Sequence, residues 1–204
     1  MDPECAEAAR AAARLCASLG HHIEEARPQI DEAAWLQATL TIVTASLTFA
    51  LETRAAALGR VLKEDDVERI TWQRVQLGRS LSAADYARAI HTVHRTGRVV
   101  ARFLETYDVL LTPTMAKPPY PLGVLDLSTT DPAAFAAARS ASVGFTSLFN
   151  SSGHPAMSVP LGMSQSGLPL GVQFAARFGD EATLFRLGAQ IEAAQPWKDR
   201  RPGR

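Results

Sequence analysis

Ser151, Ser152, Gly153 and His154 stand in a row, two hydroxyl nucleophiles beside an imidazole able to take a proton. Serine hydrolysis needs a base poised against the hydroxyl and a third group that orients the base. Immediate sequence neighbours rarely point at each other, and no G-x-S-x-G elbow surrounds these serines. The stretch also reads as a helix end: Asn150 and the small residues close a last turn, Gly153 takes the left-handed position, and Pro155 blocks continuation. On that reading neither serine is a nucleophile.

The other reactive side chains are scattered. His91 and His94 lie three apart and share a helical face, but no further ligands stand at metal spacing. His21 and His22 carry no partner pattern, and none of Lys63, Lys117 and Lys198 sits in an apolar segment that would turn it into a base. Gly-rich phosphate loops are absent. No metal and no cofactor is expected, and Trp35, Trp72 and Trp197 are assigned to packing.

The 204 residues carry 21 Lys and Arg against 21 Asp and Glu. That balance leaves no basic face for a nucleic acid. At this length roughly 70% of the unfolded surface can be buried. Cys5 and Cys16 fall on one helix about 16 Å apart, beyond disulfide reach, which suits free thiols in a reducing compartment. The start, MDPECAEAARAAARL, lacks the features of a signal peptide, so a cytoplasmic location is expected. Residues 33–51 are uncharged and just long enough to span a bilayer. Gln37 and the Thr and Ser residues oppose that; the stripes Leu36, Leu40, Val43, Leu47, Leu51 and Thr41, Thr44, Thr48 predict a buried amphipathic helix and no membrane.

The elements that must position any site follow from caps and periods. Asp2, Pro3 and Gly20 bracket a first helix; residues 21–26 read as a short strand, and Asp31 caps a long helix ending near Gly59. Helices are expected over 65–77 and, capped by Ser82, over 83–106. A buried strand at 108–114 leads into a Pro-rich loop. Asp131 and Pro132 open a helical stretch that runs, with a break, to Asn150. Strands over 156–162 and 170–176 and a helix capped by Asp180 complete an α/β unit with a mixed sheet covered by helices.

YDVLLTPT and FTSLFNSSGHPAMSVPLG, with GLPLGVQFAARFGDEATLFRLGAQIE, resemble the C-terminal part of the amidase signature family. Thr112-Pro113-Thr114 is similar to its strand-end motif, and Asn150-x-x-Gly153-x-Pro155-Ala156 with Ser158-Val159-Pro160 to its Asn-x-x-Gly-x-Pro-Ala segment and following strand. The pattern looks most like the bacterial cyclic-dimer amidases. The resemblance implies that residues 1–204 are the C-terminal portion of a single amidase domain. It further implies amide hydrolysis by a serine nucleophile, a second serine in a cis peptide and a lysine, with backbone N–H groups holding the oxyanion. All of those groups come from the family's N-terminal half, so no catalytic residue is expected here and the chain alone should be inactive.

By the same resemblance Phe145, Thr146 and Phe149 face the substrate channel; the physical alternative is packing of Phe145 and Phe149 at i, i+4. Asn150 and Gln173 are expected to bond backbone near a turn or strand end. The implied partners are a small-molecule amide in the full-length enzyme and the missing half, with a homodimer through an exposed apolar face. A different class stays open: a non-catalytic binding or assembly protein, or the amidase-like subunit of a tRNA-dependent amidotransferase.

Overall fold

The first helix begins where the sequence places it. Asp2 accepts the Glu4 N–H at 2.9 Å and Pro3 follows, giving α1 over Pro3–Ser18. In this computed structural model, which describes residues 1–200, the chain forms two compact units. One, the sheet unit, holds Met1–Gln29, Gly97–Pro121 and the residues from Ala138 onward; the other, the helical unit, holds Ile30–Thr96 and Leu122–Ala137.

The sheet unit contains β1 (Val109–Pro113), β2 (Ala156–Met163) and β3 (Pro169–Ala176) in the order β1-β3-β2. Both pairings are antiparallel. The α/β class therefore holds, and among the described residues the sheet is small and antiparallel throughout, so the expected mixed pairing is not seen in these three strands. Alternation along β3 sends Val172, Phe174 and Ala176 to one face, where they pack with Val159 and Leu161 of β2, Leu184 and Ile191 of α7 (Glu181–Ala194), and Cys5, Ala8, Ala12 and Cys16 of α1. Small residues on α1 let it lie close to the strands. A side chain at Gly162 would put its Cβ 2.6 Å from that of Ala8.

The strand expected over 21–26 does not form, and residues 21–31 have no regular structure. His21 to Glu25 are exposed, so no apolar face drives their pairing with a neighbouring strand. Side chains hold the segment instead: the His21 ring bonds Gln190 at 2.8 Å and Tyr107 donates to Glu24.

In the helical unit Asp31 caps α2 (Glu32–Ala57), accepting from the Ala34 N–H at 3.0 Å. The helix expected from residue 65 starts later. Asp66 accepts from the Lys63 N–H at 2.8 Å and from Arg60 at 2.6 Å, closing a single 3-10 turn over Glu64–Asp66 before α3 begins at Arg69 and runs to Ser80. A capping box of Ser82 and Asp85 opens α4 (Ala83–Thr106). Its hydrogen bonds from Ser82, then the Arg88 guanidinium, hold the Asp85 carboxyl down to about 2.

The long helix α2 turns the opposite way from expectation. Thr41, Thr44 and Thr48 face inward with Trp35 and Ala38, while Leu36, Leu40 and Val43 are 55%, 37% and 47% exposed. Close approach explains the inversion, since a Cβ on Gly78 of α3 would lie 2.0 Å from Thr48 Oγ1 and 3.1 Å from the Thr44 carbonyl. Only small side chains fit there. Thr41 and Thr48 donate back to the Gln37 and Thr44 carbonyls at 3.0 and 2.9 Å, which makes their burial affordable. By length and composition alone α2 is able to cross a membrane, and 28% of its most apolar window is buried.

Candidate substrate-facing site

The predicted site residues lie at the entrance to α6 (Thr146–Ser152) in the sheet unit. The Ala116 N–H donates to the Ser142 carbonyl at 2.8 Å, tying the end of α5 (Pro132–Ser142) to the loop after β1. Residues 143–145 then break the helical stretch, as the sequence suggests. Phe145 precedes the first turn, and it and Thr146 are half-buried; Phe149 points inward and is 4% exposed. Gly153 ends the helix at φ 76°, its N–H bonded to the Phe149 carbonyl at 2.9 Å, and Pro155 leads straight into β2.

That left-handed turn folds the chain back on itself, so Ser152 Oγ and His154 Nδ1 meet at 3.0 Å. Neighbours expected to point apart are therefore in contact. The pair still lacks what a nucleophile needs. His154 is 6% exposed, its Nε2 has no hydrogen-bond partner, and its ring stands edge-on to Phe178 at 6.2 Å. Burial pushes the His154 pKa down, with a hydrogen bond to the Ser152 backbone opposing it. Among the described residues no carboxylate bonds this ring to orient it. The Ser151 hydroxyl donates to the Leu148 carbonyl at 3.1 Å, the usual behaviour of a serine in a last helical turn.

A second group of polar side chains occupies the sheet face opposite the apolar core. Thr112, Gln173 and Ser158 lie in one row across the three strands. Gln173 is 4% exposed and its Nε2 donates to Thr112 Oγ1 at 3.0 Å, mid-strand and side chain to side chain. The expectation of backbone bonding at a strand end is corrected accordingly: with both neighbours paired in the ladder, no backbone group is left for it. One step along, Thr114 Oγ1 and Ser158 Oγ meet at 2.6 Å directly over Gly171, where any Cβ would come within 2.8 Å of both. Each hydroxyl is both donor and acceptor, which suits this row to an amide or carboxylate group. Sequence reading missed the pair; two hydroxyls of equal parity on strands flanking a glycine was the available signal.

Elsewhere in the sheet unit a cleft of about 780 Å³ is bordered by Cys16, His21, Asp108, Arg177 and Gln190. At its edge Arg177 donates to Asp108 at 2.6 Å and to the Leu104 carbonyl at 2.8 Å. Burial pushes the thiols of Cys5 and Cys16 up, away from the thiolate that reactivity requires. Both are free. Among the described residues no three metal-ligating side chains cluster, and His91 and His94 are exposed on α4.

A hairpin and flanking strand under two helices, entered through an Asn-x-x-Gly-x-Pro-Ala turn, define a class. The chain belongs to the Amidase family, whose model matches residues 1–185. It is 36% identical over 99% of its length to the 6-aminohexanoate-cyclic-dimer hydrolase of Paenarthrobacter ureafaciens and spans 42% of that protein. The enzyme of the same name from Pseudomonas sp. (strain NK87) is 36% identical over the same share. A solved structure of 6-aminohexanoate cyclic dimer hydrolase superposes with a TM-score of 0.87 at 36% identity, covering 99% of this chain and 43% of the other. At 20% identity and a TM-score of 0.80, a bacterial aryl acylamidase of the amidase signature family shares the fold. The chain thus corresponds to less than half the length of these relatives, their C-terminal portion.

Proposed function

We propose that this chain is the C-terminal portion of an enzyme that hydrolyses carboxylic amide C–N bonds, with linear or cyclic oligoamides as the substrate class. The observation that carries this reading is the whole-chain match, in sequence and in structure, to 6-aminohexanoate-cyclic-dimer hydrolase. On this reading the serine nucleophile, the serine–lysine pair that activates it and the oxyanion donors come from the family's N-terminal half. The chain alone is then inactive, and the full enzyme works in the cytoplasm, where Cys5 and Cys16 stay reduced. Phe145 and Thr146 form one side of the substrate channel, and Phe149 backs them from beneath.

The test starts from the coding sequence upstream of Met1. A protein extended in frame to include a lysine segment and a Gly/Ser-rich signature is expected to release amine from the 6-aminohexanoate cyclic dimer or from aryl amides, and the 204-residue chain is not. Within the extended enzyme Phe145→Ala and Thr146→Ala should raise KM more than they lower kcat, since they remove substrate contacts and no reacting group. Turnover by the purified 204-residue chain, or none by the extended protein, overturns the reading.

A further inference from the structure

We infer that the outer edge of β1 is completed by one strand of the enzyme's remaining portion, encoded just upstream of Met1, which slots between β1 and residues 21–25 and runs parallel to β1. This rests on the reading of the chain as the C-terminal portion of a larger domain. The direction follows from α1. The Asp2 N–H donates to the Ala116 carbonyl at 2.7 Å, just past the C-terminal end of β1. After the 16 residues of the helix, Cys16 and His21 border the same cleft as Thr106 and Val109, at the other end of that strand. The helix therefore runs antiparallel to β1, and a strand feeding into it must run parallel to β1. Parallel strands need a crossover of a dozen or more residues, usually a helix, and α1 supplies one that leads into residues 21–25. The described residues thus hold the helix and second extended segment of a β-α-β unit, without its first strand.

Backbone chemistry marks the slot. The Thr114 N–H donates to the Gly171 carbonyl at 3.0 Å, one step beyond the pair Pro113–Val172. Hydrogen-bonded pairs alternate along an antiparallel ladder, so Leu110 and Thr112 also turn their N–H toward β3, while Val109 and Leu111 turn theirs away. Neither of those two meets a backbone acceptor among the described residues. Pro113, with no N–H to donate, takes the third outward position. The side chains agree. Val109 and Leu111 pack at the margin of the core, and beside them the cleft of about 780 Å³ extends past Cys16 to Ile23. A parallel strand, buried on both faces, brings the apolar side chains that fill such a space. A second copy adding its own β1 about a two-fold axis would run antiparallel, and the 21–25 segments of both copies would stand in its way.

Amide hydrogen exchange on the 204-residue chain and on the protein extended in frame tests this. Segments 107–113 and 21–26 should exchange at least about tenfold more slowly in the extended protein, because the added strand removes their local opening. A second measurement uses the extended protein alone and so stands even where the short chain does not fold. Amide–amide NMR contacts should link β1 to upstream residues and residues 21–25 to the same upstream residues, and never β1 to 21–25, since one intervening strand sets the two about 10 Å apart. Direct contacts between β1 and residues 21–25, a Leu111 amide in the extended protein that exchanges as in an unfolded chain, or an upstream sequence with no apolar run of strand length overturns the inference. Protection that appears in the short chain and rises with its concentration assigns the edge to a second copy and overturns it too. Turnover is a separate readout: a protected edge without turnover keeps this inference and overturns the amidase reading, and turnover with an open edge does the reverse.

Discussion

The helices α1 and α2 both bury a stripe of small side chains, yet they dispose of their large ones in opposite ways. On α1 the buried Cys5, Ala8, Ala12 and Cys16 lie against strands, and Leu15 and Leu19 pack at the margin of the same core. On α2 the buried stripe is threonine and alanine, and the leucines face away from it. The period of the apolar residues is helical in both. What differs is the surface each helix meets: α1 lies on a sheet whose bulky Val172 and Phe174 fill the space, whereas α2 meets the backbone of α3 at Gly78, where a leucine has no room. Proximity of backbones, rather than hydrophobicity, chooses the inward face of α2.

Breaking the first half of the comparison should have the largest effect. Phe174 is 1% exposed beneath α1, and Phe174→Ala should cost about 3–5 kcal/mol through lost transfer energy and the cavity left behind, read as a lowered urea midpoint. Next comes the contact that sets α2. Glycine to alanine within a helix ordinarily stabilises, but Gly78→Ala forces a Cβ onto Thr48 and should instead destabilise by about 1–3 kcal/mol. Thr44 sharpens the contrast from the other side, because its hydroxyl is buried without a hydrogen-bond partner. Thr44→Val should leave stability unchanged or raise it by about 1 kcal/mol. Leu36→Gln, on the outward face, should move the unfolding free energy of dilute protein by less than about 0.5 kcal/mol; a loss approaching that of Phe174→Ala would show that the stripe is core after all.

A pH titration of the sheet unit reads sign rather than size. The folded pKa of His154 lies below its unfolded value of about 6.5, so the fold binds the neutral ring and the unfolded chain takes up the proton first. Stability from this group is complete above that pH and declines as pH falls through it. Thermal melts of the chain and of His154→Gln, compared across that window, should converge at the acid end; parallel curves would remove His154 as the cause.

Much of the architecture was legible from local chemistry. Asp2, Asp31, Ser82 and Asp180 each begin a helix as their side chains predict, because a cap is a contact between residues two or three apart. Gly153 ends α6 for the same local reason. What stayed hidden depends on pairing across the fold. The exposed 21–25 segment carries one β-favouring residue, Ile23, and no neighbour to complete a ladder; the α2 stripe had the right period and the wrong side. The meeting of Ser152 with His154 required the backbone angle at Gly153, and the Thr114–Ser158 contact required the register that sets both strands against Gly171. Motif matching reached the family, while the hydrogen bonds within the motif became visible only with coordinates.

The bare backbone at Gly171 has a consequence for how the sequence is free to change. In a library randomised at 114, 158 and 171 and selected only for folded protein, position 171 should accept almost nothing but glycine, because every other residue pushes the two hydroxyls apart. Positions 114 and 158 should drift, but together: a partner lost on one strand favours a compensating apolar pair over a lone hydroxyl. One missing carbon on the middle strand thus makes two distant positions a single unit of inheritance.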